Sequence, residues 1–188
     1  MGRPPIGRAR GDAGTSGGAP RRRAGAGSAP SRAPQPSQLL DALKRARVEF
    51  VVIGGFSLAA HGVVRATEDV DIVPEPSRGN LSRLAAALDA LAAQGDVSDM
   101  EAAELGLAPD ARGLSAGGNW GLETSLGRLD VMADVPGLRD YKHLRSGAVE
   151  VDGTLYAGYD ELISMKAASG RDEDLRDIGA LEAARRTD

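Results

Sequence analysis

The stretch Phe50-Val51-Val52-Ile53-Gly54-Gly55-Phe56-Ser57, followed after Glu68 by Asp69-Val70-Asp71-Ile72-Val73-Pro74, decides how this chain is read. Val48 to Ile53 is dominated by β-branched and aromatic residues and stops at Gly54-Gly55, which predicts a strand running into a tight turn. Phe56 to His61 then predicts a short helix closed by Gly62, and Val70 to Val73 a second short strand stopped by Pro74 and Pro76. Side chains alternate along a strand, so Asp69 and Asp71 fall on one side and Val70 and Ile72 on the other. Two carboxylates placed together on a partly buried strand repel each other and lose hydration, which raises one pKa unless a cation joins them. A divalent metal removes that conflict; a solvent-facing edge strand with two ordinary aspartates avoids it. Upstream, the glycine pair at the head of a helix presents backbone N–H groups with no Cβ in the way, a ready place for an anion, to which Ser57 adds a hydroxyl. A plain strand-to-helix turn has the same composition. An anion cradle one short helix away from a carboxylate pair points to a metal-bound polyphosphate.

Composition narrows the chemistry. The chain has 188 residues and 19.4 kDa, enough for one domain with or without a tail, and its 41% hydrophobic content supports a packed core. Cysteine is absent, which excludes disulfides, thiolate zinc sites and cysteine nucleophiles. The two histidines, His61 and His143, are far apart in sequence, so any metal takes carboxylate oxygens, favouring Mg²⁺, Mn²⁺ or Ca²⁺ over zinc. No apolar run reaches the roughly 18 residues that span a bilayer, and no apolar segment follows the N-terminal arginines. A cytoplasmic protein with no membrane partner is the expectation.

The net charge of −4 divides unevenly. Residues Met1–Ser37 carry seven arginines and one aspartate, for +6, and the remainder carries 16 basic and 26 acidic residues, for −10. Residues 1–37 are built from Gly, Ala, Pro, Ser and Arg, too poor in apolar side chains to offset the entropy of ordering, so a disordered basic tail is expected ahead of a domain over 38–188. A basic arm for nucleic acid or an acidic partner, a solvated extension and an upstream start codon are all compatible with it.

Within the domain, Ser37 is the expected N-cap of a helix carrying Leu39, Leu40 and Leu43. Leu81, Leu84, Ala85, Leu88 and Leu91 recur at helical spacing over Asn80–Ala93. Gly95 to Gly118 is expected to be a long loop with one helical turn near Met100–Leu105. Strands follow at Trp120–Ser125 and Arg128–Met132 around Leu126-Gly127, then a helix near Leu138–Leu144. A hairpin of Ala148–Val151 and Thr154–Ala157 turns at Asp152-Gly153, and helices at Asp160–Ser169 and Asp172–Arg185 are separated by Gly170. Strands that both alternate with helices and pair in hairpins argue for an α/β or α+β fold, a mixed sheet flanked by helices.

Ile53-Gly54-Gly55, 13 residues, then Asp69-Val70-Asp71 resembles the signature of the nucleotidyltransferase superfamily with the DNA polymerase β-like fold. Ser57, His61-Gly62, Arg65-x-Thr67, Gly127-Arg128-Leu129-Asp130-Val131 and the run Leu162–Arg171 are similar to the small bacterial AbiEii-type toxins and minimal nucleotidyltransferases. The resemblance covers Leu39 to Leu181. It implies Mg²⁺- or Mn²⁺-dependent transfer of a nucleoside monophosphate from an NTP to an acceptor hydroxyl. It also implies a third carboxylate on a neighbouring strand, a place that Asp130, flanked by Leu129 and Val131, fits better than Asp134 at the strand end. Asp69, Asp71 and Asp130 are then the catalytic and metal-holding set, and Gly54, Gly55, Ser57, Arg65, Lys166 and Arg171 the nucleotide-binding set. Lys166, in an otherwise apolar helical stretch, would serve the phosphates, the alternative being a solvated helix lysine. Asp174 and Asp177 share a helix face beside Glu173, where the family run has a lysine, and are expected to be a solvated face. Trp120 is expected in the core. Toxin-like relatives imply tRNA or protein as acceptor and a cognate antitoxin; antibiotic-modifying relatives imply a small molecule. A non-catalytic or antitoxin-like binding protein is the reading from another class. The acidic body weighs against broad RNA binding.

Overall fold

The computed structural model describes residues 35–97 and 106–186, which fall within one unit, Arg32–Asp188. The arginine-rich segment expected to be a tail and the turn expected at Met100–Leu105 lie outside the described residues.

Helix α1 (Pro36–Arg45) leads into β1 (Phe50–Ile53), α2 (Gly54–Ala60), β2 (Val70–Pro74), α3 (Arg78–Ala90) and β3 (Gln94–Val97). Then come α4 (Ala111–Ala116), β4 (Asn119–Thr124), β5 (Gly127–Met132), α5 (Tyr141–Gly147), β6 (Val149–Val151), β7 (Thr154–Tyr156), α6 (Tyr159–Ser169) and α7 (Asp172–Arg185). The strands form one mixed sheet in the order β3-β4-β5-β2-β1-β7-β6. β2 and β5 run parallel, as do β1 and β7; the other neighbours are antiparallel.

The sheet alternates strictly, and that alternation positions the site. Phe50, Val52, Val70, Ile72, Leu129, Val131, Trp120 and Leu122 face the core made with Leu39, Leu40 and Leu43 of α1 and Leu81, Leu84 and Leu88 of α3. Val51, Ile53 and Val73 face a second core with Leu58 of α2, Leu144 of α5, Leu162 and Met165 of α6 and Leu181 of α7. Asp71 and Asp130 belong to this second face. Helices therefore cover both faces, as a sheet buried on both sides requires. Asn80, fully buried, pins α3 to the strand ends: its side chain accepts from the Glu49 N–H and donates to the carbonyls of Glu49 and Glu75.

Three local expectations need correction. Helix α1 begins at Pro36, with Gln35 ahead of it and no side-chain cap, because proline at the first helical position supplies the required φ without a capping Ser37. The segment expected to be a long loop holds β3 and α4. Gln94-Gly95-Asp96-Val97 has no apolar alternation; it is a strand because it pairs with β4, and a Cβ at Gly95 would lie 2.0 Å from the Gly121 carbonyl oxygen. α4 is too short for periodicity to show and is fixed by Asp110, whose Oδ1 accepts from the Arg112 and Gly113 N–H groups. The hairpin turn at Asp152-Gly153 and the αL residue Gly170 between α6 and α7 match the expected turns, whereas the β4–β5 turn falls at Ser125-Leu126, one residue before the expected Leu126-Gly127, because Gly127 already pairs with Thr124.

Candidate active site

Asp71 and Asp130 sit directly opposite each other on the parallel pair β2–β5, and the register extends the row to Ile53 on β1 and Gly121 on β4. Strands in a sheet lie about 4.8 Å apart, so the two carboxylates share one level on one face. Asp69 lies just before β2 rather than inside it and is half exposed, while Asp130 is 23% exposed. Burial foremost, then the charges of Asp130 and Asp69, push Asp71 up from 3.8 to about 7, against the opposing pull of Lys166 and Arg171. Burial raises Asp130 as well, opposed chiefly by Arg128. The conflict anticipated from the Asp-x-Asp motif is thus present, and it is carried by Asp71.

A cleft of about 440 Å³ opens over this row, edged by Ile53, Gly54 and Gly55 on one side and by Arg65, Lys166 and Arg171 on another. Gly54 takes φ +64°, and a Cβ there would stand 2.1 Å from Asp71 Oδ2. Only glycine permits both that conformation and that approach. A Cβ on Gly55 would meet Thr67 Cβ at 2.8 Å, so the glycine pair also lets the loop before Asp69 close over the head of α2.

Ser57 is not in the cleft. It is fully buried, its Oγ–H donating to the Val52 carbonyl at 2.6 Å and accepting from the Ala157 N–H at 3.3 Å, which ties α2 to β1 and the end of β7. Placing it among phosphate ligands is corrected: on a helix whose first turn leaves the strand edge, position 57 rotates into the sheet. His61 ends α2 and hydrogen-bonds the Ala157 carbonyl through Nε2.

Lys166, Arg65 and Arg171 all line the cleft, but Lys166 is not a solvated lysine. It is buried, with Nζ 3.1 Å from Asp174 Oδ1 and 2.6 Å from Asp177 Oδ2. Arg171 Nε reaches Asp174 Oδ2 at 2.8 Å, and Arg65 Nη1 reaches Asp177 Oδ2 at the same distance. Asp174 is therefore a buried member of the wall and Asp177 is buried beside it, which corrects their reading as a solvated face. Burial alone would raise Asp174, yet hydrogen bonds from Arg171, Ser169 and Lys166 outweigh it and hold its carboxyl far below the usual range. Helix α7 turns Asp174 and Asp177 inward and Leu175 outward, against the single lysine of α6.

Arg128, quoted above only as part of a motif, proves central. Its Nε lies 3.2 Å from Asp130 Oδ1 and 3.6 Å from Asp69 Oδ2, and Nη1 lies 3.9 Å from Glu123 Oε1. Trp120 is in the core, and Asp134 follows β5 with its backbone held by Asn119. Among the described residues no three His, Asp or Glu side chains stand together as a finished metal cage. The donor set nevertheless fits a hard divalent cation: carboxylate oxygens alone, with the pair at Asp71 and Asp130 in mutual repulsion.

No family model matches this chain, and no curated protein does. Among solved structures it is similar to a crystal structure of ANT(2'')-Ia in complex with adenylyl-2''-tobramycin, with a TM-score of 0.50, 12% identity and coverage of 80% of this chain and 92% of that one. A solution structure of the antibiotic-resistance factor ANT(2'')-Ia matches with a TM-score of 0.45 and 14% identity over 80% and 87% of the two chains. A Thermotoga maritima crystal structure assigned to the nucleotidyltransferases matches with a TM-score of 0.44 and 17% identity over 80% and 88%. The mixed sheet flanked by helices is thus the nucleotidyltransferase fold. No helix among the described residues is long and apolar enough to cross a membrane.

Proposed function

We propose that this protein transfers a nucleoside monophosphate from an NTP to an acceptor hydroxyl with the aid of Mg²⁺ or Mn²⁺, releasing pyrophosphate. The observation that carries the reading is the register of Asp71 against Asp130 on parallel strands, at the floor of a cleft whose edge is Gly54-Gly55. A half-buried carboxylate pair of raised pKa is a burden to a scaffold and of direct use in phosphoryl chemistry. Asp69, Asp71 and Asp130 would hold the metal, which when bound neutralises polyphosphate charge and acidifies the attacking hydroxyl. Asp130, at the side of the row away from the glycines, is the acceptor for the hydroxyl proton; its raised pKa favours that role. The backbone at Gly54 and Gly55 follows the phosphates, and Arg65 and Arg171 supply charge along the opposite wall. Lys166 contributes through the field it sets on Asp71 and by fixing α7.

For the acceptor we put a small hydroxyl-bearing molecule first. A second cavity of about 380 Å³, lined by Trp120, Leu81, Leu114 and Tyr141, shares Met132 and Val135 with the cleft and is large enough for such a molecule. The ANT(2'')-Ia crystal structure was obtained with a nucleotidylated small molecule. An AbiEii-like toxin acting on tRNA or protein under a cognate antitoxin is the other form of the same chemistry. The reading as a non-catalytic or antitoxin-like binding protein draws on one observation, that Arg65, Lys166 and Arg171 each already hold a carboxylate. The supply of NTP places the reaction in the cytoplasm.

Incubation with α-labelled NTPs, Mg²⁺, and separately total RNA, cell protein and a small-molecule extract tests the proposal. Label entering one fraction, and vanishing with EDTA and in Asp71→Asn, is the expected result. No label in any fraction, together with no metal-dependent nucleotide binding by calorimetry, would overturn it in favour of the binding protein.

A further inference from the structure

We infer that Arg128 is an exchangeable counter-ion of this site: its guanidinium and a divalent cation compete for the same oxygens of Asp69 and Asp130, so that loading the metal requires Arg128 to swing away. The inference rests on the proposed role of the three aspartates. Arg128 stands two residues before Asp130 on β5, on the same face, and its Nε is shared between Asp130 Oδ1 and Asp69 Oδ2. Nothing bulky confines it there. The partner of Asp130 across the β4–β5 ladder is Gly121, where a Cβ would stand 3.3 Å from Arg128 Nη2 and 3.6 Å from Asp130 Oδ1, so the glycine leaves a berth for the guanidinium.

The chemistry makes the two occupants alternatives. A guanidinium spreads one charge over a planar fork, whereas a divalent ion concentrates two on a point and takes oxygen ligands at about 2.0–2.6 Å. An ion bound by Asp69 and Asp130 repels a guanidinium held against both. Arg128 also has somewhere to go. Its side chain is 45% exposed, and Glu123, its cross-strand partner, is 73% exposed at the rim with Oε1 already 3.9 Å from Nη1. The exchange therefore moves one surface side chain and leaves both cores untouched. Arg128 sets how much metal is needed to load the site.

The opposite role is also testable, since an arginine that merely props the aspartates in place would be needed for metal binding. Mn²⁺ titration of the full chain at pH 8, followed by the electron paramagnetic resonance signal of the free ion, separates them in wild type, Arg128→Ala, Arg128→Gln and Asp71→Asn. Removing two partly exposed ion pairs should tighten Mn²⁺ binding about three- to ten-fold in Arg128→Ala and Arg128→Gln, while Asp71→Asn loses it. Arg128→Gln decides the matter if circular dichroism shows the alanine variant misfolded. In wild type the Arg128 Nε–H NMR signal should shift on adding Mg²⁺. Binding in wild type that is unchanged or weakened in both Arg128 variants, or an Nε–H signal that ignores Mg²⁺, overturns the exchange and leaves the proposed site standing. If no variant and no wild-type protein binds Mn²⁺, the metal site itself is wrong and the exchange falls with it.

Discussion

Replacing Asp71 by asparagine should make the protein more stable while abolishing its metal-dependent chemistry. The carboxyl of Asp71 titrates at about 7 in the fold against an ordinary 3.8. Between those values the folded chain holds a proton that the unfolded chain has lost, so stability falls as pH rises through the window and is lowest above it. At about 1.4 kcal/mol per pH unit, that gap corresponds to at most about 4 kcal/mol lost by pH 8. Asparagine has nearly the same shape and cannot ionise, so Asp71→Asn escapes the loss. Urea unfolding in EDTA at pH 5 and pH 8.5 measures it. The stability difference between variant and wild type should grow by up to about 2.7 kcal/mol in favour of the variant at the higher pH, because only the two pH units between 5 and about 7 fall inside the assay. Subtracting the two proteins cancels most of the titration of other groups. A difference that is the same at both pH values, or a variant less stable than wild type at pH 8.5, would refute the claim that burial and neighbouring acids burden this carboxylate.

Gly54→Ala should lose activity and about 1–3 kcal/mol of stability by denaturant titration, because alanine is strained at φ +64° and its methyl would displace the Asp71 carboxylate. Ser57→Ala should cost about 1 kcal/mol in the same assay and leave the KM for NTP unchanged, since its hydroxyl serves the Val52 carbonyl inside the protein; a raised KM would return it to the phosphate site. Lys166→Met should destabilise by about 3–5 kcal/mol, leaving two buried carboxylates short of a partner, and Asp177→Asn in the same chain should recover part of that loss in thermal unfolding.

The strands that build the site were legible because their chemistry is local. Phe50–Ile53 could end only at a glycine pair, and Asp71 and Asp130 stand between apolar neighbours whose alternation assigns them a face. β3 was not legible because Gln94-Gly95-Asp96-Val97 owes its form to β4 and to a close backbone approach that no pattern within four residues encodes. The same limit explains Ser57, which reads as a hydroxyl beside a glycine turn until the sheet that buries it is known. Asp174 and Asp177 failed for the opposite reason. Charged residues at i, i+3 on a helix are normally solvated, and only the arrival of Lys166 from another helix reverses that preference. Arg128 lay in plain view of a motif, but its significance depends on distances to Asp69 and Asp130.

Helix α7, whose acids lock Lys166 and steady Arg65 and Arg171, also sets an order of assembly. Synthesis delivers the strands bearing Asp71 and Asp130 well before the acids of helix α7 emerge. Until they dock, the ammonium of residue 166 would be a lone ion facing an apolar interior, a state the nascent polypeptide resists.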